Sequence, residues 1–226
     1  MTYNTTYDAH FAGVSHYRQY PLLYPWVGRE FASQSPRILV LGESHYLKRE
    51  SVFHHDAAAW YAGVEIPETQ EKDWIYTRQL IGRGIANRWR QKSKLIYSNI
   101  ERALGEAGLC GDEERSPFQR IAFMNYFQRP AQVTGNSIVV SDLDRKHSAI
   151  VLSSVLYILK PQIVIFCSAL AWDSAQELRI NRPEIRFVKT THPATRWWHT
   201  RMKKYKGQSG KEIFIQALQP QLGGNP

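Results

Sequence analysis

The sequence predicts an α/β fold, built on a parallel sheet with helices on both faces, and three observations carry that prediction. Four short apolar runs read as buried strands. Segments with helical features lie between them, and strand–helix alternation is the pattern of a parallel sheet. Three of the four runs end in polar, chemically capable residues, and open α/β sheets bind ligands just beyond the carboxyl ends of their strands.

The first thirty-five residues are rich in aromatics and proline (Tyr17, Tyr20, Pro21, Tyr24, Pro25, Trp26) and read as a short helix or two packed on the core. The first strand is Arg37 to Gly42. Gly42 lets the chain turn sharply into Glu43-Ser44-His45-Tyr46, which carries a carboxylate, a hydroxyl, an imidazole and a phenol. Residues 51–90 read as an insertion with some helix, a turn at Ile66-Pro67-Glu68 and a glycine-containing segment, Ile81-Gly82-Arg83-Gly84-Ile85. Ser93 is a candidate cap for a helix to Ala107, with Leu95, Ile96, Ile100, Ala103 and Leu104 at helical spacing and Gly108 as its end.

Arg120 to Asn125 is the second strand, followed by Tyr126-Phe127-Gln128-Arg129-Pro130 and a polar loop. Asp144 is a candidate cap for a helix to Leu159, broken by Pro161; Asp142 and Asp144 read as cap residues rather than acids of a site. Gln162 to Cys167 is the third strand, and Ser168 caps a helix to Leu178. Ile185 to Lys189 is the fourth, delivering Thr190-Thr191-His192-Pro193. The last helix spans about Ser209 to Leu218. Three strand ends thus present Glu43/Ser44, Asn125 and His192 on one sheet edge.

Composition narrows the class. The chain has 226 residues, 43% hydrophobic and 22% charged, ordinary values for a globular protein. A linker, a repeat and a low-complexity tract are all missing, so one domain over residues 1–226 is expected. The N-terminus has no apolar signal region and no run is long enough to span a membrane, so a cytoplasmic location is expected, on the nucleoid if the chain binds DNA. Cys110 and Cys167 are too few for a four-cysteine cluster. Glu43, His45, His54 and His55 could together hold a metal, but no motif fixes them; surface histidines are the plainer reading, and no metal or other cofactor is expected. His10, His16, His147 and His199 read as structural or surface residues.

Net charge is +9, which favours polyanions. From Lys189 to Lys211 seven Lys/Arg residues occur with no acid, interleaved with Trp197, Trp198 and Tyr205. Cations among aromatics suit phosphate contact plus base stacking, although a solvated face is the commoner meaning of a charge run. The partner expected is DNA, double- or single-stranded, with no membrane and no obligate protein partner.

The three strand ends, in order, resemble the uracil-DNA glycosylase superfamily. The motifs are Gly42-Glu43-Ser44-His45-Tyr46, Phe123-Met124-Asn125-Tyr126-Phe127-Gln128-Arg129-Pro130 and Thr191-His192-Pro193-Ala194-Thr195. Lys160-Pro161-Gln162 through Ser168-Ala169 is similar to a further strand step of that family, and the likeness spans residues 37–219. The resemblance implies a three-layer α/β/α domain with a central parallel four-stranded sheet. It also implies hydrolysis of the bond between deoxyribose and a flipped uracil or other deaminated base. Glu43, Ser44 and His192 would be catalytic. Tyr46, Phe53 and Asn125 would bind the base, with Trp60 as an alternative ring. Arg196, Trp197, Trp198, Arg201, Lys203 and Lys204 would meet DNA. The sequence departs from the family where Ser44 replaces the usual Asp or Asn and His45 the usual Pro, and it lacks the cluster cysteines of one branch.

Two other functions fit the residues. A catalytically inactive nucleic-acid or nucleotide-binding module on the same fold explains Ser44 directly. A Gly-Asp-Ser-type serine hydrolase would use Ser44 as nucleophile and His192 as base, but Lys189 occupies the place of its acid.

Overall fold

The computed structural model describes residues 3–67, 69–90, 95–109 and 116–219; the expected cap Ser93, Glu68 of the expected turn and Cys110 lie outside them. A mixed sheet organises the chain. Its strands are β1 (Trp26–Val27), β2 (Ile38–Gly42), β3 (Ala122–Asn125), β4 (Ile163–Phe166) and β5 (Arg186–Lys189), in the order β1-β3-β2-β4-β5. The four expected strands run parallel to one another. The expectation of a purely parallel four-stranded sheet is corrected by β1, which pairs antiparallel with β3 and covers its edge. Two residues are too few to show a period, so this strand hid inside an aromatic stretch.

Side-chain alternation divides the core in two. Leu39 and Leu41 of β2 face a core closed by α1 (Asp8–Ala12), α2 (Ser15–Gln19), α3 (Ala57–Ala62) and α7 (Asp142–Leu159). Ile38 and Val40 face a second core with α5 (Thr77–Ala86), α6 (Leu95–Leu104) and α10 (Gly210–Leu218). α4 (Thr69–Ile75) precedes α5, and α8 (Ala169–Ser174) and α9 (Gln176–Ile180) connect β4 to β5. The β2-to-β3 connection moves one way along the sheet and the β3-to-β4 connection moves back past β2. Right-handed crossovers therefore put α5 and α6 on one face and α7 on the other. The crevice at the carboxyl end of β2 is where such a reversal leaves room for a ligand.

Local chemistry explains the ends of the elements. α7 starts two residues before the expected Asp144. Ser141 is its cap, and Asp144 closes a capping box by accepting the Ser141 N–H. Lys160 ends α7 with φ 49°, ahead of Pro161. Ser209 and Glu212 form the same box on α10. The helix expected to reach Leu178 is two short helices that meet at Ala175, with Ser168 as the cap of the first. The Ile81–Ile85 segment lies inside α5, where Gly84 admits the Trp89 ring against the helix. Among the described residues no helix is long and apolar enough to cross a membrane.

Candidate functional site

The site begins with a register. Gly42 stands opposite Asn125 in the β2–β3 ladder. A Cβ at Gly42 would overlap Asn125 Oδ1 and lie 3.0 Å from Phe123 Cζ, so the absence of a side chain gives the amide its place. Beyond the strands the two segments stay zipped. The N–H groups of Tyr126, Phe127 and Ala131 donate to the carbonyls of Gly42 (3.1 Å), Glu43 (2.9 Å) and His45 (2.9 Å). Arg129 anchors this zipper from below through a buried two-pronged pair with Asp144 (2.8 and 2.7 Å) and bonds to the carbonyls of His54 and Val139. Burial pushes the Asp144 carboxyl up, but hydrogen bonds from Arg129 and Ser141 outweigh it and hold the carboxyl below its usual range.

Each polar group of the turn has its own setting. Glu43 Oε2 accepts from Ser168 Oγ at 2.6 Å, and that hydroxyl in turn accepts the Ala171 N–H of α8. The carboxylate is therefore held in one orientation at 9% exposure. Ser44 Oγ is buried with no hydrogen-bond partner among the described residues. His45 Nε2 meets the Thr77 hydroxyl at 3.1 Å. Burial and the nearby Glu43 carboxylate push the Tyr46 phenol up, which keeps it protonated.

His192 arrives from β5 on a braced loop. Thr190 bonds back to the Phe166 carbonyl, Thr195 Oγ1 donates to the His192 carbonyl (2.8 Å), and Asn99 of α6 donates to the Pro193 carbonyl (2.8 Å). Its Nδ1 accepts the Ala194 N–H at 3.3 Å. Burial lowers the imidazole pKa and the Glu43 carboxylate raises it by less, so the ring is neutral at pH 7. With Nδ1 accepting, the proton resides on Nε2.

These segments meet. Glu43, Ser44, Tyr46, Asn125 and His192, from three remote parts of the chain, all line one cavity of about 540 Å³. Its other wall was not anticipated from sequence: Asp73, Trp74, Leu80 and Arg83 come from α4 and α5, and Ile96 and Tyr97 from α6. Ile96 reads in sequence only as one apolar helical position, and nothing local marks Asp73-Trp74 as part of a site.

Several expected contacts are corrected. Phe53 does not line the cavity; it packs against His54 and Trp60 with ring centroids 5.5 and 6.3 Å apart. Trp60 is fully buried, stacked on Tyr20 at 4.3 Å with its N–H on the Gln128 carbonyl. The rings that line the cavity are Tyr46, Trp74, Tyr97 and Phe123. Trp198 is also fully buried, against Phe214 at 5.6 Å, and offers no ring to DNA.

Around Trp198 the basic stretch is less free than its sequence. Lys189 pairs with Asp173 (2.9 Å), Arg201 with Glu212 (2.8 Å) and Lys211 with Glu106 (3.0 Å). Arg196, Lys203 and Lys204 are exposed, the first over the half-buried Trp197 ring at 3.9 Å and the last over Tyr205 at 5.0 Å. Two of the three acids, Asp173 and Glu106, come from elsewhere in the chain and the third, Glu212, follows Lys211 directly, so a window that ends at Lys211 shows none.

His54 and His55 use a ring nitrogen each on the carbonyls of Ala131 (3.0 Å) and Gln132 (2.9 Å). Among the described residues no group of three or more His, Cys, Asp or Glu side chains could hold a metal ion. Comparison of the chain with protein-family models gives no match, and comparison with curated proteins gives none either.

Proposed function

We propose that this chain is a glycosylase-like protein of the uracil-DNA glycosylase type, with a three-layer α/β/α arrangement, that hydrolyses the N-glycosidic bond of a flipped uracil or other deaminated base. One observation carries the proposal: a carboxylate, an amide and a neutral imidazole from remote strand ends line the same cavity.

The chemistry follows from the geometry. The Asn125 amide, which lines the cavity, offers a donor and an acceptor to the edge of a pyrimidine. Phe123 and Tyr46 supply flat or apolar walls beside it. As the C1′–N bond breaks, its electron pair passes to the base, and the His192 Nε2–H stabilises the negative charge that gathers on the carbonyl oxygen. The sugar becomes oxocarbenium-like. A water adds its oxygen to C1′ and gives up a proton, to Glu43 or through it to solvent, while the departing base takes a proton from solvent. Glu43 takes the role of base in this scheme because Ser44 is a weak one, and Ser168 fixes its carboxylate.

The serine-hydrolase reading is less well supported. Ser44 Oγ makes no bond to His192, whose Nδ1 is already engaged by Ala194 and whose expected acid position is Lys189, paired with Asp173. The partnerless Ser44 favours the inactive binding module as the second reading.

The test is incubation with labelled single- and double-stranded DNA carrying uracil, hypoxanthine or xanthine, followed by alkali. Strand cleavage lost in Glu43→Ala and His192→Ala supports the glycosylase. Salt-sensitive binding without cleavage replaces it with the binding module. Aryl-ester turnover abolished by Ser44→Ala replaces it with the hydrolase.

A further inference from the structure

The proposed chemistry uses only the wall made by the strand ends; the wall made by α4, α5 and α6 has no part in it. Two features there point outward. Trp74 lines the cavity yet remains 41% exposed, whereas Trp26, Trp60 and Trp198 are fully buried. Beside Trp74 the Arg83 guanidinium pairs with Asp73 at 3.3 Å, with both side chains about half in solvent (56% and 47% exposed). Such a pair is worth little, and a phosphate oxygen can compete for the guanidinium.

From this wall we infer that the substrate strand is single-stranded DNA, with the base next to the flipped one stacked on Trp74 and the phosphate between them near Arg83. The inference rests on the glycosylase reading for the flipped base, but its own content is the second base. In a duplex the neighbouring bases stay paired and stacked, and a ring at the mouth meets only sugar and phosphate. In a single strand the next base is free to swing onto an indole, and every base has a π-face to offer. The basic stretch argues the same way. Three of its seven cations are held by Asp173, Glu212 and Glu106, which reduces the charge left to track a duplex backbone.

Fluorescence anisotropy with an end-labelled oligothymidylate bearing one internal deoxyuridine, against the same sequence in a hairpin duplex, tests the inference. Trp74→Ala is expected to weaken single-strand binding about 10- to 100-fold, as loss of one stacked base does, with duplex binding changed by less than about twofold. Trp74→Phe is expected to restore most of the loss, which separates stacking from a folding defect. Equal loss on both substrates, or no loss on either, overturns the inference. If no base is excised from any substrate but Trp74→Ala still abolishes single-strand binding, the stacking site stands and the glycosylase falls. Excision from single-stranded DNA that Trp74→Ala leaves untouched, with single-strand binding also unchanged, keeps the glycosylase and removes the stacking site.

Discussion

Replacing Gly42 with alanine adds one methyl group to the floor of the cavity, and the structure says where it goes. The new Cβ would overlap Asn125 Oδ1 and press on the Phe123 ring. Inserting a methyl into a packed site costs about 1–3 kcal/mol when neighbours must shift. The amide is the softer neighbour, because Phe123 is buried in the second core while Asn125 faces the cavity. Relief therefore comes from swinging the amide off its position, and two hydrogen bonds to a bound base go with it. At about 1 kcal/mol each, with about 1.4 kcal/mol per factor of ten, base binding falls roughly 10- to 30-fold. Titration calorimetry with free uracil reads the affinity, and urea denaturation reads the fold. The double variant with Asn125→Ala should bind no worse than Asn125→Ala alone, since both act through one amide. If Gly42→Ala binds uracil like the unmodified protein, or if the two losses simply add, the assignment of Gly42 as the seat of the amide is wrong.

Three further predictions concern the support of the site. Asp144→Asn leaves Arg129 buried without its carboxylate and should cost about 3–5 kcal/mol in urea denaturation; a loss below about 1 kcal/mol would mean that Arg129 is satisfied by carbonyls alone. Ser168→Ala removes both a hydrogen bond to the Glu43 carboxylate and a helix cap, and about 2 kcal/mol of stability should go with it, together with excision activity. Unchanged excision in that variant would count against Glu43 as the base. Burial lowers the pKa of His16 and of His54 to about 4, from 6.5 in the unfolded chain. Their neutral forms stabilise the fold fully above pH 6.5, and that stability is lost as pH falls from 6.5 toward 4. For His16, 5% exposed, the loss is about 3 kcal/mol. The urea midpoint should fall over this window, and His16→Phe should flatten the fall; a profile the same in both proteins would remove His16 as a cause.

Strand positions were readable because burial leaves a local mark. Ile38 to Leu41 and Ile163 to Phe166 are unbroken apolar runs, and both form strands with every residue buried. One cap was readable for a similar reason, since Ser168 carries the oxygen a helix start needs, whereas Asp144 was read as a cap but sits three residues past Ser141, which fills that place. Aromatic residues were read less well. Phe53, Trp60 and Trp198 have the same composition as binding residues, and only packing partners such as Tyr20 and Phe214 separate a core ring from a contact ring. The charge run is less free than it reads for a third reason: Asp173 and Glu106 lie far from it in sequence, and Glu212 stands just past its last residue.

By itself the sequence determined the alternation of strands and helices and the polar residues that follow β2, β3 and β5, since both depend on neighbours a few residues apart. Tertiary structure alone decided the antiparallel edge strand, the Gly42–Asn125 register that seats the amide, and the residues of α4, α5 and α6 that line the cavity with the strand ends. The physical reason is that these features join positions separated by tens of residues or more. Which residues meet there is set by sheet order and crossover hand, and neither leaves a periodic trace along the chain.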